Sequence, residues 1–163
     1  MKKYLVICLL VFTLPVIKLS AQEKDSVVTL PPVTVTTTSG VNQEVSKSFE
    51  KAFPEAQDLT WYKMDKDYLA KFIANDMSHN SLYKKNGYMK YDVSSGSEKN
   101  LPTNIQHDVA AAYSDYKITK VFNVQESGRN ICVVNLEGMK HYVIVRSENG
   151  QLEEVKRFDK ASQ

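Results

Sequence analysis

The chain runs twice through one pattern, a short amphipathic helix followed by four strand-like segments, and this repetition restricts its fold more than any other property. In "SFEKAFPEAQDLTWYK" (residues 48–63), Val45 just upstream, Phe49, Ala52 and Phe53 recur at the spacing of one helical face. Pro54 ends that helix because it disfavours helical geometry at the residue before it. Alternating segments follow at 59–64, 68–74, 81–84 and 88–93, with Asp65-Lys66-Asp67 and Lys85-Asn86-Gly87 as polar connections. Asn-Gly between two such segments predicts a hairpin, both residues tolerating positive φ. From Leu101 the order returns. Pro102 opens a helix in its first turn, with Ile105, Val109, Ala112 and Tyr113 as its apolar stripe, and Ser114-Asp115 stands where Pro54-Glu55 stood. Segments at 118–124, 130–136, 140–146 and 152–158 follow, the last pair joined by a second Asn-Gly, Asn149-Gly150. Trp61 heads the first strand of the first unit, where a large ring lies between helix and sheet; Val121 holds the same place in the second.

The rest of the chain sets the compartment. Met1-Lys2-Lys3, the apolar run from Tyr4 to Leu14 and the small-residue end at Ser20-Ala21 have the layout of a secretory signal peptide, with cleavage expected after Ala21. The run is broken by Pro15 and Lys18 and is shorter than the roughly 20 residues that span a bilayer. Residues 22–44 read as an extended tether rich in Thr, Val and Pro, whose "VTVTTT" suits an edge strand. The domain reading is therefore a signal peptide at 1–21, a tether or edge strand at 22–44, a first repeat at 45–100 and a second at 101–160. Cleavage leaves Cys132 as the single cysteine, so no internal disulfide can form, and its place in the alternating "NICVVNL" predicts a buried, inert thiol.

Charge and motifs exclude several classes. The 21 basic and 19 acidic residues are spread along the chain, unlike the concentrated basic face that nucleic acid requires. His79, His107 and His141 are isolated, with no cysteine pair or His-x-His to hold zinc. The six glycines stand singly and make no phosphate-cradling loop, and no serine sits in a Gly-x-Ser-x-Gly elbow. No catalytic, cofactor-binding or metal-binding residue is nominated, and the chain reads as a non-enzyme.

"FEKAFPEAQDLTWYK", "YLAKF", "SLYKKNG" and above all "LPTNIQHDVAAAYSDYKITKVFNV" resemble the PepSY-like, β-lactamase-inhibitory-protein-like family of secreted bacterial proteins common in the Bacteroidetes, over about residues 45–158. The resemblance implies an α+β fold: two tandem helix-plus-antiparallel-strand repeats forming one sheet, with helices on one face and the opposite face open. It also implies export to the periplasm or beyond. Inhibitory members of the wider group block a β-lactamase with that open face and a hairpin loop. No inhibitory loop residue maps onto this chain, and the cysteine pairs of the type inhibitor are missing. With Tyr68, Ala70 and Phe72 facing the helix, alternation sends Leu69, Lys71 and Ile73 to the open face. Tyr62, Tyr83, Tyr88, Tyr91 and Tyr142 are the aromatic candidates to join them, since tyrosine offers rigid contact area with a polar tip. The expected function is an exported, non-catalytic binding module, an inhibitor or regulator of an envelope enzyme, whose partner is an envelope protein. The alternative is a small-ligand or cell-wall-fragment binder using the same face.

Overall fold

The computed structural model describes residues 35–38 and 40–161. The signal-peptide reading of residues 1–21 and most of the tether lie outside them. A short strand β1 (Val35–Thr38) precedes helix α1 (Gln43–Ala52) and strands β2 (Gln57–Met64), β3 (Asp67–Ala74), β4 (Met77–Lys84) and β5 (Met89–Gly96). A single 3-10 turn (Glu98–Asn100) leads to helix α2 (Thr103–Ala112) and strands β6 (Lys117–Glu126), β7 (Arg129–Glu137), β8 (His141–Glu148) and β9 (Gln151–Asp159). The nine strands form one sheet in sequence order, each antiparallel to the next. The helix followed by four strands thus occurs twice, and the tether contributes an edge strand, Thr38 pairing with Trp61.

Both helices end alike, which explains the Phe-Pro break. The N–H of Phe53 donates to the carbonyl of Phe49 and that of Tyr113 to the carbonyl of Val109, each at 2.8 Å, and the N–H groups of Ala56 and Tyr116 then close the turn onto Phe53 and Tyr113. Pro54 has no N–H to lose at a position where Ser114 serves equally well. Ala52 and Ala112, expected in the apolar stripes, are exposed; each stripe closes instead on the aromatic cap residue that follows. β2 and β6 also share an irregularity, with pairing shifts at 57/60 and 118/120; in β2 the shift coincides with Asp58 at φ 53°.

The core is in two parts on one face of the sheet. Under α1 lie Val45, Phe49, Ala70, Phe72, Ala74 and Tyr83, with Trp61 packed against them edge-on to Phe49 at 5.3 Å. Under α2 lie Leu101, Val109, Val121, Cys132, Val134, Leu136, Val143 and Val145. Trp61 and Val121 therefore both face a helix, Trp61 partly buried and Val121 fully.

Hairpins join the strands. Asn75-Asp76, Ser127-Gly128 and Asn149-Gly150 are two-residue turns with both residues at positive φ, the geometry that matches strand twist. At 86–87 only Gly87 is at positive φ (79°), contrary to expectation, because this connection is longer: Gly87 N–H donates to the Lys84 carbonyl and Lys84 N–H to the Tyr88 carbonyl. The hairpin is seated on the start of α1. A Cβ at Gly87 would come within 2.6 Å of the Glu44 carbonyl oxygen, and Asn42, which caps α1 through the N–H of Val45, also donates to the Lys85 carbonyl.

Candidate functional site

The strand register fixes which side chains the helices leave uncovered. Tyr62 pairs with Leu69, Leu69 with Leu82, and Leu82 with Tyr91, a row crossing four strands on the face away from the helices. The next row runs Lys71, Asn80, Val93, Val124, Ile131, and the one beyond it Ile73, Ser78, Ser95, Phe122, Val133. Ile144 in β8 extends the apolar area, and Tyr142 lies opposite Phe158 at its far end. Leu82 is buried, and Tyr91, Val93, Phe122, Val124, Ile131, Val133 and Ile144 are half-buried, although neither described helix lies on this face. Ile73, Tyr142 and Phe158 are each more than two-fifths exposed.

Charged pairs surround the strip. Arg129 contacts Glu148 at 2.9 Å, Arg146 contacts Glu153 at 2.8 Å, Lys90 contacts Asp67 at 3.1 Å and Lys160 contacts Glu137 at 2.7 Å. The lysine of the last pair holds the Glu137 carboxyl below its ordinary range. Lys71 lies 4.9 Å over the Tyr62 ring and Lys160 lies 4.7 Å over the Tyr142 ring. An apolar centre with a charged rim is the anatomy of a protein-binding surface.

Of the residues expected on this face, Tyr62, Leu69, Lys71, Ile73, Tyr91 and Tyr142 are there. Tyr88 is half exposed in the β4–β5 hairpin, beneath Lys84 at 5.1 Å, at the margin of the strip. Tyr83 is a correction. It is fully buried on the helix side, against Phe49 and Trp61, because β4 begins at Met77 and its inward residues are Met77, His79, Ser81 and Tyr83. Burial, and after it the charge of Asp92, push its phenol well above the ordinary tyrosine range. Sequence reading missed Leu82, Val93, Phe122, Val124, Ile131, Val133, Ile144 and Phe158. The signal was present in "NICVVNL": with Cys132, Val134 and Leu136 inward, Ile131 and Val133 must point outward.

A second feature occupies the helix side. Between the two cores the sheet carries polar side chains, and above them is an open cleft of about 450 Å³ bounded by Phe53 at the end of α1 and by Pro102, Asn104 and Ile105 at the start of α2. Its walls include His79, Asp92, Ser94 and Ser147, all less than a tenth exposed. Asp92 accepts from Nδ1 of His79 at 2.9 Å and from the Ser81 hydroxyl. The His79 ring stacks on Phe72 at 4.8 Å, and its Nε2 has no partner among the described residues.

Cys132 also borders this cleft, 5 % exposed, and burial pushes its thiol up to about 11. A shift from 9 to about 11 leaves roughly 100-fold less thiolate at neutral pH. The native protein should therefore react with a thiol-specific disulfide reagent about two orders of magnitude more slowly than the unfolded chain. Equal rates would place Cys132 outside the core. The described residues contain no group of three or more metal-ligating side chains and no helix long and apolar enough to cross a membrane.

Helices on one side of an antiparallel sheet and a bare opposite side define an open-faced α+β protein. Solved structures share this arrangement. A BLIP-like protein from Bacteroides fragilis superposes with a TM-score of 0.56 at 17% identity, covering 76% of this chain and 93% of its own. A DUF2874 family protein from Bacteroides uniformis gives 0.53 at 16% identity, covering 74% and 90%. A candidate periplasmic protein from Bacteroides eggerthii gives 0.53 at 17% identity, covering 74% and 89%. The fold is that of these BLIP-like and DUF2874 structures. No family model and no curated protein matches the chain.

Proposed function

We propose that the protein is an exported, non-catalytic module that binds another envelope protein through the helix-free face, acting as an inhibitor or regulator of an envelope enzyme. The observation that carries this is the apolar strip from Tyr62 to Ile144, which crosses both halves of the sheet without a covering element among the described residues and has ion pairs at its rim. Such an area on a monomer surface marks an interaction site. Export rests on the lysine-led apolar N-terminus, and the PepSY-like resemblance on the motifs of residues 45–158. A candidate periplasmic protein and a BLIP-like protein with the same fold agree with that compartment and with binding rather than catalysis. The alternative, a small-ligand or cell-wall-fragment binder using the same face, is less well supported, because the cleft with polar walls lies on the opposite side.

The test is capture of a partner from a periplasmic extract, followed by affinity measurements on single alanine variants from both halves. Tyr62→Ala and Tyr91→Ala in the first, and Phe122→Ala and Tyr142→Ala in the second, should all weaken the same partner. The central pair, Tyr91 and Phe122, should lose at least about 2 kcal/mol each as hot spots. Unchanged affinity in all four folded variants contradicts the proposal.

A further inference from the structure

The cleft between the helices has two chemically opposite ends. At one end is the start of α2. Unlike α1, which Asn42 caps, α2 is led by Pro102 and has no side-chain cap. The first backbone bond of the helix is from Gln106 N–H to the Pro102 carbonyl, at 2.9 Å. The N–H groups of Thr103, Asn104 and Ile105 therefore have no intrahelical acceptor, and they carry the positive end of the helix dipole. At the other end is His79, whose side chain is 9% exposed. With Asp92 ionised and accepting from the Nδ1–H of a neutral ring, Nε2 is an acceptor with no partner among the described residues, backed by a carboxylate. A buried polar atom without a partner is costly, and because His79 lines the cleft with the Phe53 ring 5.5 Å from its own, a ligand atom that displaces Phe53 and reaches Nε2 would relieve that cost.

We infer that this cleft binds a small zwitterion, an α-amino acid or short peptide, with its carboxylate on the free N–H groups of α2 and its ammonium directed to His79 and Asp92. Ser94 and Ser147 add hydroxyl-bearing side chains to the lining, and Phe53 and Ile105 supply apolar walls for a side chain. About 450 Å³ is ample for such a molecule. Among the described residues no lysine or arginine lines the cleft. An anion without a positive group would face Asp92 uncompensated, and a cation without a carboxylate would face the helix N-terminus. The site is on the opposite side of the sheet from the proposed partner surface, and neither depends on the other.

The experiment is an NMR titration of the folded protein with L-leucine, with leucinamide, which lacks the carboxylate, and with 4-methylpentanoate, which lacks the ammonium. L-Leucine should shift the amide signals of Asn104 and Ile105 and the ring signals of His79 saturably at roughly millimolar concentrations. Each control should bind roughly tenfold or more weakly, since each loses one charge-assisted set of hydrogen bonds. Pro102→Asp puts a capping carboxylate on the same N–H groups, so L-leucine binding should be lost while the thermal midpoint holds or rises. No saturable shift, an equal response to all three compounds, or undiminished binding by Pro102→Asp would each overturn the assignment.

Discussion

Phe72→Ala should lose roughly 3–5 kcal/mol of folding stability, a large share of the roughly 5–15 kcal/mol a domain of this size possesses. Phe72 is 3% exposed and is the centre of an aromatic cluster, 4.9 Å from Phe49, 4.6 Å from Phe53 and stacked on His79. Truncation removes contacts on all these sides and leaves a cavity that rings cannot readily collapse into. Ile73, the next residue, is 41% exposed on the opposite face, and Ile73→Ala should lose under about 1 kcal/mol. Urea denaturation of the two variants checks the register of β3. Equal midpoints would mean that the two faces are not as different as the alternation of burial requires.

The second large effect separates folding from binding within one strand. Val134 is fully buried under α2, while Val133 lies on the helix-free face between Phe122 and Arg146. Val134→Asp places an unpaired carboxylate in an apolar core, which costs several kcal/mol or more and should prevent folding. Val133→Asp leaves its carboxylate in reach of water and of Arg146, so the thermal midpoint should move little. It should nevertheless abolish partner binding, because a partner would strip water from this carboxylate at the centre of an apolar contact, while the nearby Arg146 is already paired with Glu153. Folded Val133→Asp that binds normally would exclude the centre of the strip from the interface.

The repeated helix and its ending were legible because they rest on local chemistry: apolar spacing, a proline or small polar residue after an aromatic, and Asn-Gly turns. The lengths of β4 and β5 were not. Their inward positions include His79, Ser81, Asp92 and Ser94, which break the apolar alternation that a strand shows when its core is hydrophobic. These polar residues satisfy one another across the β4–β5 register, Ser81 opposite Asp92, a pairing that no spacing in the sequence announces. Tyr83 shares the inward face with Ser81, and with a polar residue as its neighbour there the apolar alternation does not show which way it points. The open face is legible in β3, where Phe72 and Ala70 fix the inward side, and less so in β6 to β8, where valine and isoleucine stand on both faces and only Tyr142 stands out. The cleft has no sequence signature at all, because it lies where the coverage of α1 ends and that of α2 begins.

Side-chain protection by hydroxyl-radical footprinting, with and without the captured partner, tests the central claim most directly. Binding should protect Tyr62, Tyr91, Phe122 and Tyr142, drawn from both halves of the sheet, and leave Phe53 and Tyr113 on the helix side as reactive as in the free protein. Protection confined to the helix side, or to the tether at residues 22–41, would contradict binding through the helix-free face.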